Sequence, residues 1–220
     1  AMGAGRIFAQ GAKLVNNAFD SGAMWESPVW KRTVQANTLH FLGLLSDGNV
    51  HSHIKHLLQM ISQANIEGVQ KIRIHILTDG RDVSPRSALE YIAQLEQHLS
   101  AFNTSGNDYR IATGGGRMWI TLDRYEADWP MVERGWNCHV LGEGTRYDSA
   151  STAVQTQYDA DEGIDDQWLK PFVIGDYSGM ADGDAVIFYN FRGDRAIEIS
   201  STFDTPADEF THFAKRFPEG

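Results

Sequence analysis

The feature that most constrains the fold is a repeated pattern in which a short apolar run ends in Ser/Thr-Asp-Gly. The first copy is the run Thr38–Leu45 with the turn Ser46–Gly48, and the second is Ile72–Leu77 with the turn Thr78–Gly80. After each turn, apolar residues recur at helical spacing. The two turns lie 32 residues apart, the length of one βαβ step, and the pattern does not occur a third time. The repeat therefore predicts parallel strands joined by helices.

The rest of the chain continues this alternation of strands and helices. Further strands are predicted at Tyr109–Thr113, Phe172–Ile174 and Ala185–Tyr189. Helices are predicted from Pro85 with Ser84 as N-cap, over 124–134 and 149–158, and from about Asp194. We therefore predict an α/β fold: one three-layer α/β/α domain with a mainly parallel sheet, spanning residues 1–220.

Composition excludes several classes of function. The net charge of −10 argues against binding nucleic acid, which requires a basic face. The sequence has neither an apolar run of about 18 residues nor a charged-then-apolar leader, which argues against a membrane span or a secretory signal. A single cysteine, Cys138, cannot form an internal disulfide, so we expect a reducing compartment, the cytoplasm. We expect Cys138 to be a buried structural thiol.

Charged residues follow each predicted strand, at the carboxyl end where open α/β sheets bind their ligands. Arginine predominates, accounting for 13 of the 19 basic residues, and its planar guanidinium binds phosphate or carboxylate with two parallel hydrogen bonds. Arg192 and Arg195 lie three residues apart at a predicted helix start, whose free N–H groups also favour anions. We therefore predict an anion-binding site formed by Asp47 and His51, Arg81 and Asp82, Arg117 and Arg124, and Arg192, Asp194 and Arg195.

Two other kinds of site are less consistent with the sequence. His51, His53 and His56 could suggest a metal, but residues two apart on a helix point in nearly opposite directions. Gly114–Gly116 could suggest a dinucleotide, but the Gly-x-Gly-x-x-Gly spacing is absent.

Four motifs carry a resemblance to a known family, cofactor-independent phosphoglycerate mutase. Residue 193 is glycine where many relatives have proline or alanine, and residue 49 is asparagine where many have glycine, but neither change removes a functional group. The motifs that resemble the family are Ser46–His53, Thr78–Val83, Gly115–Arg117 with Asp123–Tyr125, and Asn190–Arg195.

The resemblance implies a substrate-binding domain inserted into a larger phosphatase-like domain of the alkaline phosphatase superfamily. That larger domain would carry a serine nucleophile and two divalent metals, usually manganese and possibly magnesium or cobalt, so no metal or cofactor is expected in this chain itself. The segment Ala1–Arg6 resembles the end of the nucleophile segment. We therefore expect the serine and the metal ligands to lie outside this chain, in a phosphatase-like domain of the same polypeptide.

The resemblance also implies roles for the strand-end residues. The family interconverts 3-phosphoglycerate and 2-phosphoglycerate in glycolysis and gluconeogenesis through a phosphoserine. Asp82 is the implied general base and acid, and Arg81 would fix its position. The residues implied to bind the phosphate and carboxylate of glycerate are Arg117, Arg124, Arg192 and Arg195, with His51 assisting.

Two alternatives remain open at this stage. The chain could be a module that binds a phosphorylated metabolite without chemistry, or part of a related sugar-phosphate mutase. A serine-bearing flank would favour an enzyme over a binding module, and ligand preference would separate the two mutases.

Overall fold

The computed structural model describes residues 11–104 and 106–217. The segment Ala1–Arg6, singled out above, lies outside the described residues. The elements in chain order are α1 (Ala12–Asp20), α2 (Pro28–Thr33), β1 (Leu39–Leu44), α3 (Ile54–Ile66), β2 (Lys71–Thr78), α4 (Ala88–Asn103), β3 (Asp108–Gly116), α5 (Trp129–His139), β4 (Thr145–Tyr147), α6 (Ala150–Ala160), β5 (Phe172–Ile174), β6 (Ala185–Phe188) and α7 (Ile197–Asp204).

The six strands form one sheet in the order β4-β5-β3-β2-β1-β6. All neighbouring strands are parallel except β3 and β5, which are antiparallel. The predicted fold class, an α/β domain with a mainly parallel sheet, is confirmed. The five predicted strands are present with bounds shifted by no more than three residues, whereas the three-residue strand β4 was not predicted.

Helices cover both faces of the sheet. Side chains alternate along each strand, so each strand contributes residues to a core on either face. On one face, Phe41 and Ile74 pack in a core with Leu57 of α3, and α4 and α6 contribute to the same core. On the other face, Leu42 packs with Ile199 of α7 in a second core that also includes α5. No helix among the described residues is long and apolar enough to cross a membrane.

The predicted start of the second long helix is wrong. Helix α4 begins at Ala88 rather than at Pro85. Its first free N–H groups are capped from a distant part of the chain, because the Asp166 carboxylate accepts hydrogen bonds from the amides of Ser87 (2.8 Å) and Ala88 (2.9 Å). A cap that comes from a residue far along the chain leaves no local signal in the sequence.

The predicted helices over 124–134 and from Asp194 also begin too early. Tyr125 and Glu126 have φ of 64° and 56°, in the left-handed region that no α-helix can contain. Helix α5 therefore begins at Trp129, where the Asp128 side chain accepts from the amide of Met131 (3.1 Å). Residues Gly193–Arg195 form a short 3₁₀ turn, and α7 begins at Ile197.

A chain of buried polar side chains crosses the layer between the sheet and α5. Asp184 lies at one end of this chain, and its carboxylate, when ionised, can only accept hydrogen bonds. Each histidine therefore donates from one ring nitrogen in the direction of Asp184 and accepts at the other, so that every link has one donor and one acceptor. His40, His75 and His139 are each at most 1% exposed. The links are Thr121 to His139 Nε2 (3.0 Å), His139 Nδ1 to Thr113 (2.6 Å), Thr113 to His75 Nδ1 (2.7 Å), His75 Nε2 to His40 Nδ1 (2.9 Å) and His40 Nε2 to Asp184 (3.1 Å).

These histidines are neutral in the folded protein. Burial lowers the pKa of His139 to about 3 and, together with nearby His40, lowers the pKa of His75 well below its ordinary value. Burial also lowers the pKa of His40, although Asp184 opposes this effect. Their neutrality favours the fold above the unfolded pKa of about 6.5, and this stabilisation is lost as the pH falls below it.

We predict that the free energy of unfolding in urea declines from pH 6.5 to pH 4. Each histidine that stays neutral contributes a slope of up to about 1.4 kcal/mol per pH unit, because unfolding binds its proton. His139→Gln should reduce this slope, whatever it does to absolute stability. The exposed His212 is the matched control, since His212→Gln should leave the slope unchanged. A His139→Gln slope equal to that of the wild type would contradict the prediction.

Candidate functional site

The sheet order brings the predicted site residues to one edge. Strands β3, β2, β1 and β6 are consecutive neighbours and run parallel, so their carboxyl ends lie side by side. The loops that follow these four strands carry every residue of the predicted site. Several of these side chains form two neighbouring groups, one buried around Arg117 and one partly exposed around Asp194. Asp47 belongs to neither group and accepts a hydrogen bond from the Tyr91 hydroxyl (2.5 Å).

The buried group joins Arg117 to two carboxylates. Arg117 is 1% exposed, and its Nη1 lies 2.6 Å from Asp79 Oδ1 and 2.7 Å from Asp82 Oδ2. Burial alone would raise the pKa of Asp79, but the Ser46 hydroxyl (2.6 Å), the amide of Asp82 and the Arg117 charge together lower it. Asp79 is therefore an ionised carboxylate under the floor of the site.

Glycine at position 48 allows the loop after β1 to approach Asp82. A Cβ at Gly48 would lie 2.8 Å from Asp82 Cβ, closer than real side chains come. The next residue, Asn49, has φ of 58°, a left-handed conformation that asparagine tolerates better than most residues. Asparagine can therefore occupy this position with less strain than most other side chains would cause.

The partly exposed group surrounds Asp194. Its carboxylate is 2.9 Å from Arg192 Nε and 3.0 Å from Arg192 Nη2, a two-pronged ion pair. Arg124 Nη1 lies 3.7 Å from the same carboxylate. The Arg192 and Arg124 side chains are 47% and 40% exposed, so a ligand can reach both guanidinium groups.

His51 connects the two groups as a neutral imidazole. Burial first, and then the nearby charge of Arg117, lowers its pKa to about 4. Its buried Nδ1 has no hydrogen-bond partner among the described residues and lies 3.7 Å from Asp194 Oδ1, the oxygen that is paired with Arg192 Nε at 2.9 Å. The 3.7 Å separation is too long for a direct hydrogen bond. A ligand oxygen or a water bound beside Nδ1 would satisfy it.

Arg195 and Arg81 occupy the margins of the site in different ways. Arg195 is buried and donates to the carbonyl of Leu122 (2.7 Å), and burial together with the charges of Arg117 and Arg124 lowers its pKa. Arg81, expected to fix Asp82, is exposed, and its Nε donates to Gln167 Oε1 (2.9 Å). In the structure, Arg117 holds the Asp82 carboxylate.

Three residues that contribute to the site were not identified from the sequence. Asp79 binds Arg117, Gln167 binds Arg81, and the buried Glu198 accepts the amide of Glu126 (3.0 Å) next to Arg124. Only Asp79 had a usable signal, since it occupies the aspartate position of the repeated Ser/Thr-Asp-Gly turn. Gln167 reaches the site from a distant segment, and Glu198 comes from the first turn of α7, just after Arg195.

The glycines and the cysteine behave as structural residues. A Cβ at Gly116 would overlap the backbone of Gln167, so Gly114–Gly116 allows close backbone packing rather than forming a nucleotide loop. Cys138 is buried, as predicted, and burial raises its pKa to about 12. The described residues contain no group of three histidine, cysteine or acidic side chains arranged to hold a metal ion. His53 instead caps α3 by accepting from the amide of Lys55 (3.1 Å).

Comparisons with known proteins agree on one family. Residues 13–219 match the family model described as BPG-independent PGAM N-terminus. A probable 2,3-bisphosphoglycerate-independent phosphoglycerate mutase of Leptospira interrogans is 54% identical over 92% of this chain and 38% of its own length. The 2,3-bisphosphoglycerate-independent phosphoglycerate mutase of Trypanosoma brucei brucei is 44% identical over 100% of this chain and 41% of its own.

A solved structure has the same fold. It is described as Leishmania mexicana phosphoglycerate mutase at low cobalt concentration, and it matches with a TM-score of 0.93 and 40% identity. The match covers 97% of this chain and 41% of that protein. The chain therefore spans 38–41% of the length of these three relatives.

We predict that Asp194→Asn increases the affinity of the chain for inorganic phosphate by about threefold to tenfold. The Asp194 carboxylate competes with any anion for Arg192 and Arg124, and asparagine removes that charge while keeping the shape. Isothermal titration with phosphate measures the change. Asp208→Asn, an equal charge change at an exposed position, is the control and should have little effect. Weaker phosphate binding by Asp194→Asn would mean that Asp194 orients Arg192 rather than competing for it.

Proposed function

Since the chain belongs to the family of BPG-independent phosphoglycerate mutase N-terminal domains, we propose that it binds and orients phosphoglycerate for the interconversion of its 3- and 2-phosphate isomers. The observation that carries the proposal is the joining of four strand-end loops into one site that combines exposed arginines with a held carboxylate. Inside a chain with a net charge of −10, this local arginine cluster favours a small anion.

The arginines of the site can bind both anionic groups of phosphoglycerate. Phosphoglycerate carries a phosphate and a carboxylate, and each offers a pair of oxygens that a guanidinium fork can bind with two hydrogen bonds. Arg124 and Arg192 have exposed N–H groups that can bind them, and binding would displace Arg192 from Asp194. Neutral His51 would donate one hydrogen bond or accept one, depending on its tautomer. Buried Arg195 and Arg117 add positive charge beneath this surface.

Asp82 is the group proposed to exchange a proton with the glycerate hydroxyls. Its side chain is 14% exposed, and Arg117 holds only one of its two oxygens through the 2.7 Å contact. The hydroxyl that receives the phosphoryl group must lose a proton, and the hydroxyl that releases it must gain one. A single carboxylate that faces both positions can serve each step in turn.

The phosphoryl step requires groups that we place elsewhere in the same polypeptide. We propose that a phosphatase-like domain supplies the serine nucleophile and the divalent metals, manganese being the first candidate. The described residues offer no fitting ligand set for a metal, so this chain is assigned binding, orientation and proton exchange only. We further propose a role in glycolysis and gluconeogenesis in the cytoplasm, for which the single buried Cys138 is the supporting feature.

We predict that the chain alone converts no 3-phosphoglycerate, whereas the longer polypeptide that contains it does so in the presence of manganese. The chain holds arginines that offset anionic charge, whereas we propose that the nucleophile that phosphoryl transfer needs lies in the phosphatase-like domain. Coupled detection of 2-phosphoglycerate measures the reaction. Turnover by the repurified chain would contradict the proposal that the nucleophile and the metals lie in another domain. Phosphate binding without turnover by the longer polypeptide would favour a binding module, and faster turnover of a pentose phosphate would favour a sugar-phosphate mutase.

We predict that Asp82→Asn in the longer polypeptide lowers kcat by about 10²–10⁴-fold with little change in KM. Asparagine keeps the shape and the contact with Arg117 but cannot exchange the proton. The exposed Asp208→Asn is the matched control and should retain wild-type kinetics. Wild-type turnover by Asp82→Asn would assign the proton transfer to another group or to water.

A further inference from the structure

Asp79 is the most heavily hydrogen-bonded carboxylate of the site. It is only 2% exposed and therefore cannot contact a ligand. Its Oδ1 accepts from the amides of Arg81 (3.2 Å) and Asp82 (3.1 Å) and from Arg117 Nη1 (2.6 Å). Its Oδ2 accepts from the hydroxyl of Ser46 (2.6 Å). One buried carboxylate thus ties together the loops that follow β1, β2 and β3.

The position of Arg117 depends on this carboxylate. Its side chain makes hydrogen bonds only through Nη1 within the described ranges, to Asp79 and to Asp82, and its buried Nε has no partner there. Without Asp79, the Asp82 contact alone would orient the guanidinium. That contact cannot act as an independent reference point, because Asp82 is the group that Arg117 holds in place.

The direction of the Asp82 side chain depends on Asp79 as well. The Asp82 amide donates to Asp79, Arg117 binds one Asp82 oxygen, and Gly48 lies against the Asp82 Cβ. The Asp82 side chain is therefore fixed from its backbone, from its Cβ and from its carboxylate. Two of these three constraints pass through Asp79.

Stability alone does not require a charged pair at this place. Burying two charges costs several kcal/mol before their attraction offsets it, and apolar replacements of buried ion pairs are often neutral or stabilising. A buried pair does supply a single geometry, because a charge-assisted hydrogen bond is short and directional. Here the geometry is that of Arg117 and Asp82, the two groups at the floor of the site.

We infer that Asp79 is a positioning residue, which acts through Arg117 and the Asp82 backbone to aim the Asp82 carboxylate at the substrate hydroxyls. The inference rests on the proposed function of Asp82. It adds a residue that touches neither the substrate nor a reacting atom, and it assigns Ser46 a supporting role as the donor to the second Asp79 oxygen.

The test measures kcat and KM for Asp79→Asn in the longer polypeptide, per folded enzyme. We expect kcat to fall by about 10²-fold, the cost of a displaced catalytic group. KM should change little, because the buried Asp79 does not contact the substrate. A purely structural defect would reduce the amount of folded enzyme and leave kcat per folded enzyme unchanged.

Two further variants separate charge from position. Asp79→Glu keeps the charge but moves it by one methylene, so kcat should stay low if position rather than charge is what Asp79 supplies. Ser46→Ala removes one donor and leaves the Arg117 contact, so a fall in kcat of only a few fold is expected. This milder variant keeps the inference testable if Asp79→Asn does not fold.

Asp108→Asn is the matched control. Asp108 pairs with the buried Arg73 (2.5 Å) at the start of β3, the opposite end of the strand from Arg117. It should lower stability and leave kcat per folded enzyme and KM unchanged. Wild-type kcat in both Asp79→Asn and Ser46→Ala would overturn the inference while the mutase activity stands. A wild-type polypeptide without mutase activity would instead overturn the proposed function.

Discussion

The site depends on one buried cation, the guanidinium of Arg117. A charge that is 1% exposed must be paired, and its partners are two carboxylates from the loop that follows the neighbouring strand. The parallel pairing of β2 with β3 brings these groups together, since Thr78 lies opposite Gly116 at the ends of the two strands. The register of β2 and β3 therefore fixes the geometry of the site, and a shift in this register would separate Arg117 from Asp79.

The site divides its charges between buried and exposed positions. The buried groups, Asp79 and Arg117, are held by several contacts and set a geometry. The exposed groups, Arg124 and Arg192, are paired with Asp194, whose carboxylate a bound anion would replace. A site that must hold a carboxylate in place and also exchange an anion requires both kinds of position. Screening by water weakens the exposed pairs and leaves the buried ones strong.

The fold was predictable wherever its signal is local. Apolar runs of strand length and the repeated Ser/Thr-Asp-Gly turns led to the parallel sheet and to the edge where the site lies. Helix starts were less predictable, because α4 is capped by Asp166 from a distant turn and the left-handed Tyr125 and Glu126 delay α5. The strand β4 has only three residues and too little pattern to identify.

The fold class, the family resemblance and the set of charged residues at the strand ends could all be read from the amino-acid sequence, since strand periodicity and strand-end composition are local properties. Which of these charges meet depends on how the folded chain packs. It paired Asp82 with Arg117 rather than with its neighbour Arg81, set Asp194 against Arg192, and brought Gln167 to Arg81. The physical reason is that ion pairing depends on distances across strands and loops, and burial decides which pairs are strong.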